Sequence, residues 1–543
     1  MRGRPSVKTL LSAACALSLV IGGAAGAVGP ATTLKLDKAG LHLLDEQGRE
    51  LDRLKLRAKR WDQRSEVGEG NLKGQADKVA VLLDADRGRP VLVRSKGQVL
   101  RAHDLPEPGF QVEALCLHRD PQGLLHLFLL GEEGLSEQWL ISEDSARPLR
   151  RLATAPGPEG CQVDDARQVL QMQEPGVGLW EHGTEVEGKP QRRLQKATAP
   201  SPKSATAPSP KSTAAAKRYD WPVLHASAQT DPVARFGDAA DDPAIWVHPA
   251  EASRSRVLGT NKKQGLLVYD LQGRELQLLE VGRINNVDLR QRIQTGGQSF
   301  DLAVATQRDE NALVLFGIDP NGQVRELARL PTDLKDIYGL CVGRTPDGQL
   351  DAFPNDKDGR VQQYRIELNA QGQWQARLLR AFKLASQPEG CVVHEAEQRL
   401  FVGEEKRGIW AVDARAGVPA KPYLVMPVGA ELQADVEGLA VYEGRDGKPS
   451  YLLASSQGNH SYLVLDAKPP FALRGGFRIG INAKLQIDGA SETDGLDVNS
   501  TNFGGVYGQG LIVVQDGHKR LPDGPQNFKY LPWADVARAL KLP

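Results

Sequence analysis

The sequence predicts an all-β chain: a complete six-bladed β-propeller in the second half, preceded by an incomplete, related β-propeller-like domain. Three observations predict it. First, six short blocks share one shape, a polar or acidic residue, usually then Gly, then apolar residues of strand character. They are Asp242-Pro243-Ala244-Ile245, Asn286-Val287-Asp288-Leu289, Tyr338-Gly339-Leu340-Cys341, Glu389-Gly390-Cys391-Val392, Glu437-Gly438-Leu439-Ala440 and Asp494-Gly495-Leu496-Asp497. Their first residues are 44, 52, 51, 48 and 57 positions apart, and a strand-rich period near fifty marks propeller blades. Second, the first half repeats part of the second. Third, glycine is abundant and aromatics are few, which suits many turns between short strands. Helical periodicity is confined to the region of Trp533 to Leu540.

In chain order, residues 1–27 have the character of a secretory signal. Arg2, Arg4 and Lys8 form a basic start, Leu10 to Ile21 an apolar run too short to span a membrane comfortably, and Ala25-Gly26-Ala27 fits a small-residue cleavage site, the alternative being a membrane anchor. Residues 28–195 form the incomplete domain. Pro158–Trp180 aligns without a gap to Pro388–Trp410 at an offset of 230, with 11 of 23 positions identical. Leu115–Ile141 tracks Leu340–Ile366, and Gly48–Leu51 matches Gly273–Leu276, both at an offset of 225. The first block of the second half and its last two have no counterpart, so the first unit holds three or four blades and is expected to be accessory. Residues 196–216 carry a Thr-Ala-Pro-Ser-Pro-Lys-Ser tract twice and read as an extended linker. The complete propeller occupies 217–543.

Lys+Arg and Asp+Glu balance at 68 each, so no global field favours nucleic acid or a membrane surface. Beyond residue 27 no long apolar segment occurs. The mature chain is expected to be a soluble monomer, secreted or periplasmic. Export permits disulfides, and Cys116/Cys161 and Cys341/Cys391 occupy equivalent places in the duplication. They are expected to pair within their domains, the alternative being four buried free thiols.

The chemistry-bearing residues cluster in and beside the blocks. Asp241, Asp242, Asp288, Glu389, Glu404, Glu405, Asp435, Glu437, Asp494 and Asp497, with Gln457, Asn459 and Glu492 nearby, offer the oxygen ligands that calcium prefers. The competing view is a rim of acidic turns capping strands. Lys262, Arg308 and Lys357 lie in polar turns after the blocks, and beside a calcium cluster they would suit a highly phosphorylated anion. The duplication separates scaffold from chemistry. Glu389 has its counterpart in Glu159, whereas Lys262, Tyr338 and Lys357 align with Asp37, Glu113 and Glu132. There is no Gly-x-Ser-x-Gly elbow, no His-Glu-x-x-His and no phosphate loop.

Over nearly all of residues 219–543 the chain resembles the β-propeller phytases, calcium-dependent alkaline phytate phosphatases. The resemblance rests on Asp238-Ala-Ala-Asp-Asp-Pro-Ala-Ile-Trp246, Thr260-Asn-Lys-Lys-Gln-Gly265, Asn285-Asn-Val-Asp288, Asp435-Val-Glu-Gly438, Tyr451-Leu-Leu-Ala-Ser-Ser-Gln-Gly-Asn459, Thr493-Asp-Gly-Leu-Asp497 and Gln515-Asp-Gly517. The whole chain is similar to the dual-domain members. The resemblance implies several calcium ions in and over the central channel. Asp241, Glu389, Glu405, Asp435, Glu437 and Gln457 match ligands of the catalytic ions, Asp494 and Asp497 fall in the Asp-rich segment, and Asp288 and Asp516 match supporting calcium positions. It places Lys262, Arg308, Tyr338, Lys357 and Asp358 at phosphate contacts, with Lys262, Arg308, Glu389 and Glu437 at the centre of catalysis. Glu492 in place of Asp, Lys406-Arg407 after the Glu pair, and Pro354 before the Lys357 loop depart from the usual pattern.

The implied activity is that of a phytase of the 3-phytase type, taking phytate as its calcium complex. It releases phosphate and lower inositol phosphates by attack of a calcium-activated water. A calcium-dependent propeller lactonase or esterase, and a non-catalytic binding module, are the alternatives; the basic residues weigh against the first, and the second suits the N-terminal unit better.

Overall fold

Short runs of Val, Leu and Ile, broken every few residues by an Asp- and Gly-bearing turn, leave the chain little choice but sequential antiparallel hairpins. Asp45, Asp270 and Asp319 each open such a turn, Oδ1 accepting the amides two and four residues on. A computed structural model describes residues 32–65, 77–158, 160–174, 177–188, 190–196 and 220–543. The expected signal, most of the linker, the start of the second unit at 217 and Glu159 lie outside the described residues.

Among the described residues the second unit has six sheets, each built on three or four strands in sequential order. Their first strands are Ala240–Trp246, Ile284–Thr295, Val342–Arg344, Pro388–His394, Val436–Tyr442 and Leu496–Asn499. These first strands contact one another in a cycle, the last meeting the first. The core is divided in the same way. One apolar cluster fills each gap between neighbouring sheets, and the sixth, with Ile245, Tyr269, Val513 and Phe528, joins the last sheet to the first. Two entry strands complete the circle. Val223–His225 pairs in parallel with Leu473–Gly480, and Ala228–Gln229 pairs antiparallel with Asn527–Pro532. The expected helix is Trp533–Ala539, burying Trp533 and Val536. This is the predicted six-bladed propeller.

Among the described residues the first unit has four sheets, of three, four, four and four strands. Apolar clusters fill the three gaps between consecutive sheets. The duplication is structural. Gly40–Leu44 and Glu50–Leu54 stand at the same offset of 225 from Gly265–Tyr269 and Glu275–Leu279, and the positions at that offset from Ala240–Trp246 lie outside the described residues. Trp180 Nε1 donates to Glu174, as Trp410 Nε1 does to Glu404, 230 positions on. Both expected disulfides form, with Cα–Cα distances of 6.0 Å for Cys116–Cys161 and 5.4 Å for Cys341–Cys391.

The glycines of four of the six blocks are explained by contact around the axis. A Cβ on Gly339 would lie 2.0 Å from the Glu389 carbonyl oxygen, one on Gly390 2.2 Å from that of Glu437, and one on Gly438 2.5 Å from the Leu496 nitrogen. A Cβ on Gly495 would lie 2.1 Å from Asp242 Oδ1. The Gly438 amide donates to Asp494 O and the Gly495 amide to Asp241 O, both at 3.0 Å. Backbone packs on backbone here, and no side chain fits. Gly390→Val is therefore expected to destabilise the chain by about 3 kcal/mol. Gly417→Ala, whose Cβ would meet nothing within 4 Å, should change stability by no more than about 0.5 kcal/mol in denaturant unfolding.

Candidate active site

Four of the six blocks bring their first residue, Tyr338, Glu389, Glu437 or Asp494, to the mouth of the ring, while Asp242 and Asn286 line the channel. Carboxylate oxygens of Glu389, Glu405 and Glu437 lie within 4.8 Å of one another, and all three residues are buried. They line a cavity of about 540 Å³ with Lys262, Tyr338, Gln387, Asp435, Gln457, Glu492 and Asp494, a size suited to a small molecule. Glu389 Oε1 accepts from Asn285 Nδ2 at 2.9 Å, and Glu405 is held by the Gln387 amide. Asp494 takes Gln457 Nε2 and Lys262 Nζ, both at 2.8 Å. Lys262 also meets Asp238 at 2.9 Å and Asp241 at 3.6 Å.

The basic and phenolic residues form a second group beside the acids. Lys357 Nζ lies 4.4 Å, and the Arg308 guanidinium carbon 5.2 Å, from the centre of the Tyr338 ring. Arg308 reaches Asn285 Oδ1 only at 3.4 Å, and its buried Nε donates to no acceptor among the described residues. Burial, and then Glu389 and Asp241, push the Tyr338 pKa up, so its hydroxyl remains a neutral donor.

Not every residue singled out in the sequence meets at this mouth. Asp288 and Asp497 line the channel beyond the block ring, together with Asp242. Asp288 pairs there with Arg290 at 2.7 Å, and Asp497 accepts the Ile245 amide at 2.8 Å. Asp516 is fully buried beside Lys529 Nζ, at 3.0 Å, in a network shared with Asp488. Asp358 is partly exposed and pairs with Arg360 at 3.0 Å and Lys383 at 3.6 Å. Glu404 turns outward to Trp410 and Ser386. Of the departures noted in the sequence, Lys406 pairs with Asp435 at 2.8 Å and Arg407 with Glu404. Asp238, Asn285, Gln387 and Asp488 gained no role from sequence reasoning. The first two lay inside the quoted motifs, and Gln387 stands two residues before Glu389.

The electrostatics ask for cations. Burial drives Asp241 and Glu437 well above the ordinary carboxylate range; Glu389 raises both, while Lys262 draws Asp241 back. Among the described residues neither Asp241 oxygen accepts a hydrogen bond, nor does Glu437 Oε2. Glu405 is pushed up to about 7 by burial, Glu389 and Asp435. Asp494 reaches about 6 by burial and Glu389, against the pull of Lys262. Burial disfavours the Lys262 ammonium, but Asp241, Asp494, Glu389 and Asp238 together hold its pKa well above the usual value. One lysine cannot balance this many acids. Orphaned oxygens on clustered carboxylates, with amide oxygens beside them, are the donor set of a hard divalent cation such as calcium.

The sequence profile described as Phytase matches residues 192–542. A 3-phytase of Bacillus subtilis (strain 168) is 38% identical over 327 residues, covering 58% of this chain and 85% of that protein. Sqt1 of Saccharomyces cerevisiae superposes with a TM-score of 0.31 at 12% identity, over 78% of this chain and 96% of the other. Hydrazine synthase of Kuenenia stuttgartiensis gives 0.30 at 13%, over 78% and 95%. Superpositions this loose carry no functional meaning.

The raised carboxylates give a pH signature. Their folded-state pKa values exceed the unfolded ones, so the folded state holds extra protons between about 4.5 and about 7. Protein stripped of divalent cations should therefore lose stability as pH rises from about 5 to about 8. Calcium should abolish much of that loss. Denaturant midpoints across this interval check it; a chelated protein that gains stability as pH rises would contradict the assignment.

Proposed function

The chain belongs to the phytase family and hydrolyses phytate, and we propose that the mouth of the second propeller is where it does so, with calcium. The observation that carries this reading is the juxtaposition of two groups: the Glu389, Glu405 and Glu437 carboxylates, and the Lys262, Arg308, Tyr338 and Lys357 donors beside them. Asp241, Glu389, Glu405, Asp435, Glu437, Gln457 and Asp494 would hold the ions at the mouth; Asp288 and Asp497 in the channel, and Asp516 beneath, would support outlying ones. Calcium bound at the mouth supplies Lewis-acid charge that neutralises phosphate oxygens and lowers the pKa of water.

The side chains do the rest. Phytate carries six phosphates on an inositol ring, so one phosphoryl group can enter the acidic mouth while a neighbour is gripped outside it. Lys262, steadied by Asp238 and Asp494, donates to oxygens of the reacting phosphoryl group. Arg308 brings a buried Nε with no competing acceptor among the described residues, the arrangement expected of a guanidinium that waits for a phosphate. Tyr338 donates its neutral hydroxyl, and its ring keeps Lys357 and Arg308 in place by cation–π contact. Glu389 is a buried acid at the meeting point of both groups, hydrogen-bonded to Asn285, which also faces Arg308. No covalent phosphoenzyme is needed.

The N-terminal unit has no counterpart of Lys262, Tyr338 or Lys357, so its role is accessory. A basic, then apolar leader and two disulfides support export to the periplasm or medium. Among the described residues no helix is long and apolar enough to cross a membrane.

Phosphate release from phytate by the full chain should be abolished by chelation and restored by calcium. Glu389→Ala should lower it on the order of a hundredfold or more, and Lys262→Ala comparably. Tyr338→Phe should cost no more than about tenfold, since it loses one hydrogen bond and keeps the ring. Phosphate release that persists in excess chelator, or in Glu389→Ala, would refute the reading.

A further inference from the structure

We propose that Glu187, in the N-terminal unit, is a positioning residue for the catalytic mouth of the second unit: it clamps the segment that delivers Asp494. The inference rests on the mouth being the site assigned above.

The turn that carries Glu187 is rigid before it meets the second unit. It follows strand Gly178–Gly183. Buried Arg150 donates from Nη2 to Gly183 O at 2.9 Å and from Nε to Gln138 Oε1 at 2.8 Å. Gln138 Nε2 in turn donates to Thr184 O at 2.9 Å. At the tip, Val186 enters an apolar cluster with Leu140 and Leu149 of its own unit and Ile481 and Leu521 of the other. Glu185 pairs with Arg478 on the flank.

Glu187 then reaches beneath the mouth. Its Oε1 accepts the Gly489 amide at 3.1 Å, its Oε2 accepts the Ser491 hydroxyl at 3.0 Å, and Arg520 Nε lies 3.5 Å from Oε2. Glu187 and Ser491 are buried. Gly489 admits this approach because a Cβ there would lie 2.4 Å from Ile479 O and 2.9 Å from Glu187 Cγ. The clamped segment is coupled to the site on both sides. The Ser491 amide donates to Asp516 Oδ1 at 3.2 Å, and Ser491 O accepts the Gly517 amide at 2.8 Å. Three residues on, Asp494 grips Lys262 and Gln457. Glu492, Asp494 and the 517–520 turn with Arg520 all line the mouth.

The duplication supplies an independent argument. At the offset of 230, Glu185 falls on Arg415 and Glu187 on Gly417. The two glutamates are not scaffold shared by the copies; they belong to the copy that has a propeller mouth to reach. Glu187 touches no reacting group, so its effect is exerted through the position of Asp494 and, through it, Lys262.

The test uses the full chain with phytate and, separately, amide hydrogen exchange without added cation. Glu187→Ala should lower kcat on the order of tenfold with little change in KM and should accelerate exchange across 489–495. Glu187→Gln keeps both hydrogen-bonding partners and should recover most of kcat and of the protection. Arg478→Ala breaks only the flanking ion pair and should leave both near the parent values. Wild-type kcat and wild-type exchange in Glu187→Ala would overturn the proposal. So would equal losses in Glu187→Ala and Arg478→Ala, which would mean that docking alone matters. Failure of the site assignment is distinguishable, because it would show as activity in Glu389→Ala whereas the exchange result reads Glu187 directly.

Discussion

Everything at the functional end of this molecule depends on how closely six backbone segments approach one another around one axis. At Gly339, Gly390, Gly438 and Gly495 a neighbouring backbone or carboxylate occupies the place a Cβ would need. The contact fixes where each following strand begins and thereby which way the preceding residue points. Closing the ring brings Tyr338, Glu389, Glu437 and Asp494 to one opening and leaves Asp242 and Asn286 in the channel. The ring that gives the fold its shape thus also concentrates its charge.

That concentration is costly. Asp241, Glu405, Glu437 and Asp494 all hold protons more tightly than ordinary carboxylates because they are buried together, and Lys262 offsets only part of it. Unpaired buried charge destabilises a fold by several kcal/mol, so such clusters persist where something compensates them. A divalent cation is the natural compensator we propose, and it would convert a structural liability into affinity for phosphate. The neighbouring Tyr338, Arg308 and Lys357 make sense only once the acids are neutralised, because otherwise the mouth would repel a polyanion. The buried Asp488–Lys529–Asp516 network shows the other solution, in which a lysine supplies the compensating charge.

The fold was legible because its determinants are local. Block spacing, the Asp-opened turns and the duplication can each be read along the chain, and the disulfide pairs followed from the duplication. The partition of the acids was less legible. Asp241 and Asp242 are adjacent on one strand and point to opposite sides, the first to Lys262 at the mouth and the second to Asn286 in the channel. Asp494 and Asp497 divide in the same way, a distinction that a composition of acids cannot carry. The supporting partners were hidden for another reason. Lys406 meets Asp435 across 29 residues and Glu187 meets Gly489 across 302. Nothing in the local sequence of either partner announces such a pair.

The mouth formed by Glu389, Glu405 and Glu437 is, we propose, a cation site serving phosphate chemistry. Anomalous diffraction from crystals of the full chain soaked with calcium, or with a lanthanide in its place, addresses it most directly. A peak within about 2.3–2.6 Å of oxygens from all three glutamates is the predicted result. Fully occupied peaks confined to the channel around Asp288 and Asp497, with none at the three glutamates, would contradict it.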